Sequence, residues 1–266
     1  MTIFKSFLYR LLAALMFFTR LPWWRLAVVP KRYFERVVPL WPLTGWLTGG
    51  VMALTYWGAS QFFSPLLSVV LALLARVLLT GALHEDGLAD FCDGFGGGHD
   101  RESTLRIMKD SHIGTYGVLG LLFYFLVTVL ILSEIVCKLH AAHLSSHFFS
   151  LHPAFILFSA DVFAKWVSSN IVDVLPYARS EAEAKNRLIY QKTPLAERCF
   201  SFVAGVVPTL LLLPLRLQFA MFVSALTAVM MMTAMFRRLR GYTGDCCGAC
   251  FLFSELMYYF GILLII

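Results

Sequence analysis

Residues 84–98 read HEDGLADFCDGFGGG, and Asp86, Asp90 and Asp93 within them are spaced i, i+4 and i+7. On a helix these positions lie one above another along a narrow face. Three like charges stacked this way repel, and a cation among them removes the repulsion. Hard carboxylate oxygens select Mg²⁺, Mn²⁺ or Ca²⁺. Mg²⁺ is commonly held by a few carboxylates together with substrate phosphates, so the pattern suits an enzyme that handles a pyrophosphate. Glu85 points roughly 100° away from Asp86 and is a weaker candidate. His84 is placed to take a proton from a nucleophile near neutral pH. A hydrogen-bonded histidine at a helix end explains His84 equally well, and one of the aspartates, Asp93 among them, is the alternative base.

The next stretch, GFGGGHDRESTLRIMKD, offers an anion-binding counterpart. Gly96, Gly97 and Gly98 let backbone N–H groups approach a phosphate closely. Asp100 is suited to cap a helix running from about Arg101 to Lys109, whose N-terminus favours anions. Lys109 is placed to touch phosphate and Asp110 a metal. Gly114, Gly117 and Gly120 recur every third residue, which lets another helix pack closely.

These side chains need a frame, and composition indicates which kind. The chain has 266 residues, 59% hydrophobic and only 14% charged, where soluble domains carry about 25% charged residues. Apolar segments near 37–63, 65–83, 113–137, 151–171, 199–215, 219–236 and 246–266 approach or exceed the ~20 residues needed to span hydrocarbon. They do not alternate, which excludes a β-barrel. The expectation is an all-α, multi-pass transmembrane helical bundle of about seven spans. Residues 1–22 contain Arg10 within an apolar run and no cleavage site, so they are read as an interfacial or re-entrant helix. No repeat or linker divides the chain, so 1–266 is read as a single integral-membrane domain.

The net charge of +6 is attributed to topology, with no nucleic acid as partner. Segments 1–36, 84–112, 172–198 and 237–241 hold 18 of the 22 Lys and Arg residues, whereas the opposite connections hold Lys138 and Arg216 alone. By the positive-inside rule, 84–112 faces the cytoplasm, which predicts a cell inner (cytoplasmic) membrane protein with its site on the cytoplasmic side. Asp161 and Lys165 are i, i+4 within an apolar span and read as an interior pair, with Arg76 as a further buried charge for Asp161 or Glu134. The six cysteines read as packing residues. His140, His143, His147 and His152 have zinc-like spacing but no clear helical register.

The block TGALHEDGLADFCDG, followed by IMKDSHIGTYG, resembles the signature of cobalamin synthase, the adenosylcobinamide-GDP ribazoletransferase family. TRLP at 19–22, PLTG at 42–45, PYAR at 176–179 and TGD at 243–245 with Gly248 and Ala249 are similar to that family's other motifs, in the same order. The chain departs from the family at Ala164 and Lys165, where a Ser-Arg pair is usual, and after Arg179, where SEAEAK replaces a glycine-containing turn. The resemblance implies transfer of α-ribazole, or its 5′-phosphate, to adenosylcobinamide-GDP with release of GMP and a requirement for Mg²⁺. It adds Asp245 as a metal ligand beside Asp86, Asp90 and Asp93. It also adds Arg179, whose fork suits bidentate phosphate recognition, and Thr243 to the substrate contacts. Membrane lipid is an expected partner, and a homo-oligomer is left open. Two other classes stand beside this reading. A CDP-alcohol phosphotransferase uses stacked aspartates but with a different spacing. A divalent-metal transporter would place its acidic residues near the midplane.

Overall fold

The computed structural model describes residues 3–145, 151–179 and 190–266. Among these residues the regular structure is helical, with one isolated bridge between Tyr177 and Tyr242 and no named strand. The helices are α1 (Ile3–Phe18), α2 (Lys31–Phe34), α3 (Trp41–Ala59), α4 (Pro65–Thr80), α5 (Leu83–Gly97), α6 (Arg101–Ile107), α7 (Thr115–Ser145), α8 (Pro153–Ser169), α9 (Ile171–Val174), α10 (Leu195–Leu212), α11 (Phe219–Leu239) and α12 (Gly244–Leu263).

The spans divide into an inner and an outer group. Five helices are long and apolar enough to cross a membrane, and α4 with α5 makes a sixth if the bent pair counts as one. The expected number of seven is not reached by this measure. Pro42, Thr44, Gly45, Thr48 and Gly49 dilute the hydropathy of α3, and it falls outside the six. In α8 and α12 more than 70% of the apolar window is buried, whereas in α7 and α11 the figure is 22%. Leu122, Phe123 and Leu130 of α7 and Phe222, Val229 and Met230 of α11 are more than half exposed, as helices facing lipid require. Polar side chains on α8 and α12 therefore lie in the middle of the bundle.

Close approach by glycine builds that middle. A Cβ on Gly45 of α3 would stand 2.9 Å from the Cα of Val162, and one on Gly49 3.0 Å from the Cβ of Asp161. No larger residue permits this α3–α8 crossing.

The acidic helix is set by an elbow. α4 starts conventionally, with Ser64 accepting from the Leu67 N–H and Pro65 at the first position. It ends at Gly81, which is left-handed (φ 67°) and followed by Ala82, also left-handed (φ 60°). Two such residues in succession turn the chain by 91° into α5. The strain at Ala82 is held by its N–H, which bonds to Val77 O at 3.1 Å, while Arg20 N–H bonds to Leu79 O at 2.8 Å. The acidic segment is therefore a helix, as its spacing predicts, but one at right angles to the apolar run before it.

Candidate active site

Where α5 meets the start of α12, the backbones nearly touch. A Cβ on Gly87 would lie 3.0 Å from Asp245 O, and one on Gly248 would lie 3.2 Å from His84 O. This contact brings two sequence-distant acidic residues, Asp86 and Asp245, to one cavity. Thr243 caps α12, its hydroxyl accepting from Cys246 N–H at 3.3 Å, and it lines the same cavity.

The loop that carries Arg179 is stitched to this corner. Ala178 N–H bonds to Tyr242 O at 2.8 Å, and Tyr242 N–H to Pro176 O at 3.0 Å. Arg101 braces the bridge from beside it, donating to Ala178 O at 2.5 Å and to Leu239 O, at the end of α11, at 2.9 Å. Arg179 donates to Leu105 O at 2.9 Å and lines the cavity beside Asp245. The PYAR and TGD motifs, with 63 residues between Arg179 and Thr243, are thus one structural unit.

The cavity has a volume of about 310 Å³. Lys165 enters it from α8, with its Nζ 4.0 Å from the centroid of Phe251. Its walls are largely aromatic. Phe18 packs on Trp41 at 5.4 Å between ring centroids, and Trp41 on Tyr190 at 5.7 Å. Burial pushes the phenols of Tyr177 and Tyr190 up, in Tyr177 against the pull of the Arg179 guanidinium, so both remain neutral.

His84 is the conspicuous polar group. It is 3% exposed and is held between Phe18 and Phe251, at 5.6 and 4.5 Å. Neither ring nitrogen has a hydrogen-bond partner. A buried imidazole without partners is costly unless a ligand in the cavity provides them.

The structure separates the other expected residues from this group. Asp93 is buried against the first turn of α7, where Gly114 N–H donates to Oδ2 at 2.7 Å and Gly117 N–H to Oδ1 at 2.8 Å. It serves as the anion of that helix N-terminus and does not line the cavity. Asp90, one turn earlier, is half-buried and also outside the lining. Gly97 and Gly98 end α5 instead of forming a phosphate loop. Gly96 and Gly98 are there for packing: the ring of Tyr116 covers Gly96, and Thr104 covers Gly98. Nor does the start of α6 await an anion, because Asp100 accepts from Ser103 N–H at 2.7 Å and fills that place. α6 ends at Ile107, so Lys109 and Asp110 lie in an exposed loop. There Asp110 accepts from His112 N–H at 3.0 Å, a bond that lowers the pKa of its carboxyl.

Among the described residues, no three His, Cys, Asp or Glu side chains converge to hold a metal ion. His140 Nδ1 lies 3.2 Å from Val136 O, and His152 caps α8, while the His143 and His147 side chains lie outside the described residues. The donor chemistry that does converge is two hard carboxylates, Asp86 and Asp245, beside two cations, Lys165 and Arg179. That set fits Mg²⁺, which takes one or two carboxylates and completes its shell with water and substrate phosphate.

Sequence reasoning missed the aromatic walls from Phe17, Phe18, Trp41, Tyr190 and Phe251. They come from four separate segments, and only tertiary packing unites them. The likeness to known proteins runs the length of the chain. Residues 10–263 match the model of the cobalamin-5-phosphate synthase family. The chain belongs to that family. A Shewanella amazonensis relative named adenosylcobinamide-GDP ribazoletransferase is 34% identical over 272 residues, covering 100% of this chain and 98% of its own length. Relatives of the same name from Leptospira interrogans and Vibrio cholerae are 30% and 34% identical, covering 95% and 93% of this chain and 94% and 90% of their own lengths. No solved structure matches. In this member of the cobalamin-5-phosphate synthase family, the DGLAD, PYAR and TGD segments meet at the corner between α5 and α12, and the IMKDS segment lies outside it.

Proposed function

We propose that this chain joins α-ribazole, or its 5′-phosphate, to adenosylcobinamide-GDP and releases GMP. The site faces the cytoplasmic side of the inner membrane. The observation that supports this most is the meeting of Asp86, Asp245, Arg179 and Lys165 with an unpartnered His84 in one aromatic-walled cavity.

The volume of about 310 Å³ is at the small end of ligand pockets. It admits a nucleoside-sized moiety and leaves a corrin ring outside. The flat aromatic base of α-ribazole suits stacking on Phe18, Trp41 and Tyr190. Arg179 and Lys165 hold the diphosphate and neutralise charge that develops as the bond to GMP breaks. In the transfer, a ribose hydroxyl attacks the phosphoryl group attached to cobinamide, the new P–O ester forms, and the P–O bond to GMP breaks. His84, with both ring nitrogens unpartnered, accepts the hydroxyl proton. Asp86 and Asp245 would hold Mg²⁺, whose chemistry there is Lewis-acid stabilisation of the phosphoryl oxygens.

The test is direct. Purified chain, shown to be folded, is incubated with adenosylcobinamide-GDP, α-ribazole and Mg²⁺, and GMP is measured. Release of GMP in step with cobalamin supports the assignment, and a folded preparation that releases none overturns it.

A further inference from the structure

A second concavity, of about 710 Å³, opens between the first turns of α1, α2 and α10 and is lined by Ser6, Phe7, Arg10, Arg32, Arg36 and Glu197 among others. Its three arginines do different things. Arg10 is a fastener: its two terminal nitrogens donate to Glu197 at 2.8 and 2.6 Å, and its Nε to Arg36 O at 2.9 Å. Glu197 therefore has its charge matched within the wall. Arg36 uses Nε on Gln191 at 2.7 Å, and Arg32 makes one long bond, 3.4 Å, to Tyr33 Oη while lying over that ring. A guanidinium has five N–H donors, so both retain donors for a ligand. With Arg10 and Glu197 cancelling, the lining itself carries two net positive charges, and the nearby Glu35 carboxylate is engaged by Gln191 Nε2 at 3.0 Å.

The other side of the groove is apolar. Phe7 of α1 meets Phe200 of α10 edge to face at 6.1 Å. Phe4, Leu8 and Val203, at 76%, 43% and 55% exposed, continue that surface along the two helices. α10 is one of the helices long and apolar enough to cross a membrane, so the arginines stand at the end of a surface apolar enough for hydrocarbon to cover.

We infer that this groove binds one anionic phospholipid. Its phosphodiester lies on Arg32 and Arg36, and its acyl chains lie along Phe4, Phe7 and Phe200. Paired guanidinium donors select the phosphate, and basic pockets beside spanning helices suit anionic headgroups. A soluble phosphate would leave the apolar wall unused, and a zwitterionic lipid would leave the two charges unmatched. The groove shares no residue with the cavity at α5 and α12, so this site does not depend on the proposed transfer reaction.

The experiment is native mass spectrometry of the full chain in detergent, titrated with phosphatidylglycerol, phosphatidylcholine or glycerol 3-phosphate. The wild-type chain retains phosphatidylglycerol in preference to phosphatidylcholine, and glycerol 3-phosphate does not displace it. The R32A/R36A variant loses about 30-fold in that affinity, roughly fivefold for each juxtamembrane charge. R32K/R36K, which keeps the charge but not the fork, recovers part of it. Circular dichroism confirms that both variants are folded. Equal retention of the two lipids, unchanged retention in R32A/R36A, or efficient displacement by glycerol 3-phosphate would each overturn the proposal. If R32A/R36A fails to fold, R32Q/R36Q, which is shorter than arginine but keeps a polar, hydrogen-bonding end, is read against the same outcomes.

Discussion

Two polar regions meet at Lys165, and they are organised on opposite terms. Deep in the bundle, Arg76 of α4 donates to both oxygens of Glu255 at 2.5 Å. Tyr124 and Tyr259 add bonds to the same carboxylate at 3.1 and 3.0 Å. Asp161 holds Lys165 at 2.5 Å and accepts from Thr48 at 2.7 Å, with Arg76 3.7 Å away. The charges of this network face opposite charges. At the cavity, by contrast, His84 is equally buried and has no partner. The contrast teaches that burial alone does not distinguish a structural polar group from a chemical one. The network holds helices together, and the cavity holds groups ready for something that arrives.

The largest effect expected is at His84. His84→Gln keeps the size and a polar tip but removes a basic nitrogen, and should lower turnover by about 10²–10⁴-fold, the range of general-base catalysis. GMP release measured against pH gives the check, with the low-pH limb lost in the variant. If turnover is unchanged, His84 belongs with the structural groups. Next come Asp86→Asn and Asp245→Asn. Each should cost about 10²–10³-fold in kcat, the scale of one electrostatic contact to a transition state. Excess Mg²⁺ should partly restore activity, and helical content should be unchanged.

In the network the expected losses appear in stability. Glu255→Gln strips Arg76 of its main counter-charge and should cost about 3–5 kcal/mol, read as a lowered Tm in detergent. Glu85→Gln is the counterpart. Glu85 is 3.8 Å from Arg76, and neither of its oxygens is hydrogen-bonded. Together with Asp161 and Glu255 it makes three buried carboxylates facing two cations. Removing that extra negative charge should leave Tm level or raise it. A large drop would mean that Glu85 is a full member of the network. A smaller loss than at Glu255 is expected at Asp93. Asp93→Ala frees two N–H groups at the start of α7 and should cost about 1–2 kcal/mol, with turnover in the surviving folded protein within a few-fold of wild type.

Much of this could be read from the sequence, and what could not has physical causes. Helicity, membrane character and the helix carrying Asp86, Asp90 and Asp93 follow from composition and spacing, which are local properties. The interior pair Asp161–Lys165 was legible for the same reason, since i, i+4 is contact on any helix. The roles within the trio were not legible, because sharing a helix edge does not mean sharing a neighbour. Asp86 looks across at α12, and Asp93 at the first turn of α7. The glycines at 96–98 have the composition of a phosphate loop, yet at Gly96 and Gly98 the absent side chains make room for Tyr116 and Thr104. Arg76 had a partner that sequence could not choose, because Glu255 lies 179 residues away.

The elbow at Gly81 and Ala82 has a consequence for depth. α4 has 16 residues, which at about 1.5 Å each rise about 24 Å, whereas a hydrocarbon layer is about 30 Å thick. Because α5 departs at 91°, the chain does not use the remaining distance. His84 and Asp86 therefore lie within five residues of the bend, His84 buried and Asp86 exposed. Were α4 to cross the layer, bilayer thickness would set how far a phosphate must descend to reach them.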